Sequence, residues 1–199
     1  MDTVTSGQNT PQRGTMAVVV GPSGAGKDTL IGFAAAHFQG DERVRFVRRC
    51  ITRDESAGGE DHEGITPEQF DALQQVGGFA VSWSAHGLQY GIPRRTQDEI
   101  ALGLLLVANG SRSALPLFKA AYANLLVINI TARPEILAER LMARGRETRE
   151  DILARLQRAP LSVAGDYRVA TIDNSDSVEK AGAELVQILT ENLISPRIG

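Results

Sequence analysis

The sequence predicts an α/β fold in which a parallel sheet, wrapped by helices, is built around a phosphate-binding loop. Three observations carry this reading. Residues 16–20 form an apolar, β-branched run that stops at a glycine, the pattern of a buried strand. Gly21, Gly26 and Lys27 then satisfy the pattern G-x-x-x-x-G-K at the start of a helix. Strand-like runs alternate with helical segments through the rest of the chain.

Taken in order, residues 27–38 read as a helix, with Leu30, Ile31 and residues 33–35 as its apolar face. Residues 44–50 read as one short strand with interleaved arginines, and 51–64 as a polar, glycine-bearing loop or irregular insert. Thr66 caps a helix over 67–76, because Pro67 occupies the first helical position and Gln69 lies three residues after the cap. Residues 79–83 are predicted as a strand, 85–93 as turn-rich, 95–101 as a helix and 104–108 as a buried strand followed by the polar turn "NGSR". Residues 125–131 are an apolar strand, 134–144 and 147–158 helices, 169–172 a last short strand and 178–193 a C-terminal helix.

The chain has 199 residues, 42% of them hydrophobic, which suits one domain over 16–199 carrying a small insert. Residues 1–15 are polar and read as a disordered leader rather than a signal peptide. A net charge of −3 gives no basic signature for nucleic acid. The longest apolar run, 104–108, is far below the ~20 residues a membrane span needs. One cysteine, Cys50, excludes an internal disulfide and points to a reducing cytoplasm. The sequence does not fix an oligomeric state, and a homodimer is compatible with it. Of 21 basic residues only Lys27, Lys119 and Lys180 are lysine, the rest arginine; nucleotide bias in the gene or a demand for phosphate-gripping forks would each produce this.

In the loop, glycines let successive amide groups converge on an anion at a helix N-terminus, and Lys27 reaches the outer phosphates. Gly21, Pro22, Ser23, Gly24, Ala25, Gly26, Lys27, Asp28 and Thr29 are therefore expected to bind ATP. Asp28 stands where the motif ordinarily has a hydroxyl residue. Its carboxylate is a hard donor suited to Mg²⁺; the competing reading is a first-turn acid favourable to the helix. Later, Arg140 and Arg144 lie four apart, Gly145 interrupts the helix, and Arg155 follows. These three arginines are expected on a lid over about 140–158 that neutralises charge on the transferring phosphoryl group. Arg146, Arg149 and Arg158 fit a solvated face paired with glutamates. His37 reads as a surface residue, Cys50 as a buried strand residue, His62, near Glu60, as an exposed loop residue with a substrate contact as the competing reading, and Phe79 and Trp83 as core rather than ligand stacks.

The segments "GPSGAGKDTL", "ITRDESAGGE", "GGFAVSWSAHGLQYGIP", "RLMARGRE" and "DYRVATIDN" occur in the order seen in guanylate kinases, which the chain resembles from about residue 18 to 174. The resemblance implies a guanylate-kinase-like core with an acceptor-binding insert over about 48–95. Arg53 and Tyr90 match residues that hold the acceptor phosphate, Arg144 and Arg155 match lid arginines, and Asn174 falls in the loop against adenine. The guanine-reading groups do not match: Arg49 replaces a serine, Asn109 stands for an aspartate, and Ser82 and Ser84 flank Trp83 where a glutamate is expected. Losing polar contacts to a base removes preference for it. The markers "GKDT", "ITR", "SWSAHGLQYGIP", "NGSR" and "RGRE" instead resemble the ribose 1,5-bisphosphate phosphokinases of phosphonate breakdown. That resemblance implies a magnesium- and ATP-dependent sugar-phosphate kinase that makes 5-phosphoribosyl 1-diphosphate, with Arg49, Arg53, His86, Tyr90 and Arg112 as the acceptor site. His86 is open to two readings, a general base or a turn residue that contacts substrate or backbone. The alternatives are a nucleoside monophosphate kinase and a non-catalytic binding module.

Overall fold

The computed structural model describes residues 14–55, 60–143, 163 and 165–193. Strand β1 (Thr15–Val20) lies at the centre of a five-stranded sheet. Its neighbours are β7 (Leu105–Asn109) and β8 (Leu125–Thr131), with β2 (Val44–Phe46) and β9 (Arg168–Asp173) at the edges. Every pairing in this sheet is parallel, as the alternating pattern predicts. All six residues of β1 are buried, because both faces of the sheet are covered.

The alternation of β1 divides the interior in two. Ala17 and Val19 face a core made with α1 (Lys27–His37), α5 (Pro134–Met142) and α6 (Val178–Glu191). Met16, Val18 and Val20 face a second core with Ile100 of α3 (Arg95–Ala101) and Phe118 of α4 (Leu115–Ala121). Burial of these apolar side chains, worth about 1.5–3 kcal/mol each, is the main favourable contribution set against the chain's ordering entropy.

A smaller four-stranded sheet has the order β4-β3-β6-β5 and consists of β3 (Arg49–Ile51), β4 (His62–Gly64), β5 (Phe79–Ala85) and β6 (Leu88–Pro93). Helix α2 (Pro67–Gln75) precedes β5, and its predicted capping box is present: Gln69 N–H donates to Thr66 Oγ1 at 3.2 Å and Thr66 N–H to Gln69 Oε1 at 2.8 Å. Val81 and Ile92 carry this sheet into the second core. Gly91 permits a close approach, since a Cβ there would sit 2.5 Å from the Phe79 ring.

Several expectations are corrected. The single strand over 44–50 is two strands in different sheets, because the chain passes from the central sheet to the smaller one at Val47 and Arg48. The turn-rich reading of 85–93 holds only for His86 and Gly87, whose positive φ values (52° and 75°) close a two-residue hairpin; Leu88, Tyr90 and Ile92 continue as strand. The segment after "NGSR" contains a short 3₁₀ turn and helix α4, which the sequence reading did not include. Thr15, placed in the leader, is the first residue of β1. The helix expected over 147–158 lies outside the described residues. Among the described residues no helix is long and apolar enough to cross a membrane.

Candidate active site

At the C-terminal end of β1 the chain turns through the loop into α1, with Gly26 at the N-cap in the left-handed region (φ 88°). A Cβ on Gly26 would lie 2.4 Å from Asn174 Nδ2, so the position demands glycine on both counts. Asn174 is 1% exposed and donates to the Ala25 carbonyl at 2.8 Å. It thus braces the loop through the Ala25 carbonyl.

In front of the loop opens a cleft of about 660 Å³. One wall is Gly21–Gly24 and Gly26–Thr29; the other is Arg49, Glu60, Trp83, His86 and Tyr90, with Asn109 and Arg112 at the end of β7 and beyond. Lys27 Nζ donates to the carbonyls of Gly21 (3.0 Å) and Pro22 (3.1 Å), so it must exchange these for phosphate oxygens when it engages a ligand. Burial lowers the Lys27 pKa; Asp28 opposes the shift, while Arg49 and Arg112 add to it. Burial also lowers that of Arg112. These cations crowd one another, and a polyanion in the cleft would relieve that repulsion.

Arg49, 6% exposed, makes a two-pronged ion pair with Glu60: Nε donates to Oε2 at 3.0 Å and Nη2 to Oε1. Its guanidinium also lies 5.6 Å from the Trp83 ring centre and 5.1 Å from that of Tyr90, which stack on each other at 5.3 Å. Asn109 Nδ2 donates to Asp28 Oδ1 at 2.6 Å and to Glu60 Oε2 at 3.3 Å, tying the loop to the opposite wall. Glu60 and Asn109 were not among the expected site residues, and Trp83, read as core, lines the cleft.

The other expected residues are placed unevenly. Tyr90, His86 and Arg112 line the cleft, His86 from the hairpin turn. Arg53 lines a separate, smaller recess with Glu55 and Thr66, its guanidinium toward His62. Arg140 lies against the back of the loop, Nη1 donating to the Gly24 carbonyl at 3.5 Å. Arg144 and Arg155 lie outside the described residues. His62 corrects its reading as an exposed loop residue: it is 2% exposed on β4, with Nδ1 2.9 Å from the Glu60 carbonyl. Cys50 is buried as expected, and burial beside Glu63 raises its thiol to about 11.

The residues present suit a magnesium ion held mainly by phosphate oxygens and water. Asp28 offers one hard carboxylate at the foot of the loop, and among the described residues no group of three or more potential ligands forms an all-protein cage.

No protein-family model matches the chain. It is 57% identical over 178 residues to the ribose 1,5-bisphosphate phosphokinase PhnN of Rhizobium etli, covering 89% of this chain and 90% of that one. Identity to the corresponding protein of Agrobacterium fabrum is 52% over 177 residues, covering 89% and 97%. Among solved structures, guanylate kinase from Anaplasma phagocytophilum superposes with a TM-score of 0.65 at 18% identity, over 92% of this chain and 88% of that one. The central parallel sheet, the loop at the end of β1 and these relatives lead to one conclusion: the chain belongs to the ribose 1,5-bisphosphate phosphokinase family, kinases on a guanylate-kinase-like fold.

Proposed function

We propose that this protein transfers the γ-phosphoryl group of ATP to the 1-phosphate of ribose 1,5-bisphosphate, giving 5-phosphoribosyl 1-diphosphate and ADP. The observation that supports it best is the shared cleft, in which a phosphate loop and an arginine-bearing wall face each other. The acceptor atom is already a phosphate oxygen, so no strong general base is required, and His86 serves as a turn residue at the cleft rim. Catalysis then rests on positioning and charge neutralisation. Lys27 holds the outer phosphates of ATP. Arg112 and Tyr90 take the acceptor phosphates, and Arg49 presents its cation beside them. Arg140 stands beside the loop, Nη1 donating to the Gly24 carbonyl, and is assigned with Arg144 and Arg155, which lie outside the described residues, to neutralising charge on the transferring group. The stretch 48–95 serves as the acceptor-binding insert. Asp28 would help hold Mg²⁺, which supplies positive charge across the phosphate oxygens when bound.

Guanylate-type transfer is the rival reading. Arg49 and Asn109 occupy positions at which the resemblance calls for guanine-reading groups, and both are engaged with Glu60. The test is ADP release from ATP and magnesium, with ribose 1,5-bisphosphate and GMP as parallel acceptors. Turnover with the sugar alone supports the proposal; turnover with GMP alone overturns it.

A further inference from the structure

We infer that Glu60 reads a ring hydroxyl of the acceptor; the inference rests on the sugar-phosphate reading above. Its carboxylate lines the cleft with its side chain 15% exposed. Three N–H donors hold it: Arg49 Nε and Nη2 from β3, and Asn109 Nδ2 from the end of β7. The backbone of the same residue is fixed too, since His62 Nδ1 lies 2.9 Å from its carbonyl oxygen. A carboxylate has about four lone-pair sites, so among the described residues one remains for a ligand.

That remaining site has a definite chemistry. It accepts hydrogen bonds and repels phosphate. Lys27, Arg49 and Arg112 suit the anionic ends of a substrate, and Glu60 among them suits only a neutral donor. A pentose bisphosphate has phosphates at its two ends and free hydroxyls at C2 and C3 between them. Phosphates on the cations and a hydroxyl on Glu60 match that distribution. The N–H edge of guanine is the other donor a carboxylate accepts, and the test separates the two.

The experiment compares kcat/KM for ribose 1,5-bisphosphate, its 2-deoxy and 3-deoxy analogues and GMP, in the wild type, Glu60→Ala and Glu60→Gln. The wild type is expected to prefer the parent sugar over at least one deoxy analogue by about 10- to 100-fold. Glu60→Ala should bring that ratio close to one. Glu60→Gln keeps the shape without the charge and should fall between, and it supplies the answer if the alanine variant does not fold. A purely structural role would lower all acceptors together and leave the ratio unchanged, which overturns the inference. So does a wild type indifferent to both deoxy sugars, or Glu60-dependent turnover of GMP. Failure of the wild type to use ribose 1,5-bisphosphate at all would instead overturn the proposed function.

Discussion

The phosphate loop sits where a strand of the central sheet becomes helix α1, whereas the wall opposite it is assembled from side chains of the smaller sheet and its loops, joined by Asn109 and Arg112 at the end of β7 and beyond. The loop is shaped by consecutive backbone groups, fixed by a left-handed Gly26 and braced by Asn174. The wall depends on contacts between residues far apart in sequence: Arg49 with Glu60, Asn109 with both Glu60 and Asp28. One half of the cleft therefore tolerates little backbone change and the other little side-chain change.

The contrast can be broken most forcefully at Lys27. Lys27→Ala should lower kcat/KM by about 10²–10³-fold, because it removes a charge from the transferring phosphates. The thermal midpoint should not fall, since a buried cation is also removed; a large drop in midpoint would mean that Lys27 braces the fold. Arg49→Ala should do the reverse on stability. It strands the Glu60 carboxylate, and urea titration should read a loss of about 3 kcal/mol, with a raised KM for the acceptor and an unaltered KM for ATP. Equal effects on both KM values would dissolve the division between the two walls.

Smaller effects sharpen the picture on the loop side. Asn174→Ala loses the bond to the Ala25 carbonyl, about 1 kcal/mol, visible as a several-fold rise in KM for ATP alone. The Lys27 pKa is lowered in the folded protein, so the folded state binds fewer protons than the unfolded chain between the two values. Stability of the ligand-free protein from this group therefore rises with pH across that window, while affinity for ATP falls as Lys27 loses its charge. Paired unfolding and ATP-binding titrations over the alkaline range should move in opposite directions. The least effect belongs to Cys50, whose thiol is raised to about 11 by burial beside Glu63; iodoacetamide at pH 8 should leave native protein unlabelled.

The same division separates what was legible in the sequence from what was not. The loop was readable because its information is contiguous: an apolar strand, spaced glycines and Lys27. Thr66 and Gln69 announced their capping box for the same reason, and β8 occupies the residues predicted for it. The strand β6 was masked by Gly91 and Pro93, which read as turn signals although Gly91 is there to admit the Phe79 ring. The break between β2 and β3 is a change of sheet, which local propensity does not encode. Glu60 was invisible as a site residue because Asp54, Glu55 and Asp61 are equally plausible partners for Arg49 by sequence. Only the β3–β4 register, with Arg49 opposite His62, selects it.

The smaller sheet shares its apolar interior with the central one: Val81 and Ile92 lie among Val18, Leu106 and Phe118. Amide deuteration should therefore treat the smaller sheet and the central strands as one cooperative block. The Ile92 amide should exchange about as slowly as those of β1, through whole-domain opening rather than local fluctuation. Under the proposed function the smaller sheet would then serve the acceptor as an anvil rather than a hinged flap, resting on a core it shares with the central strands.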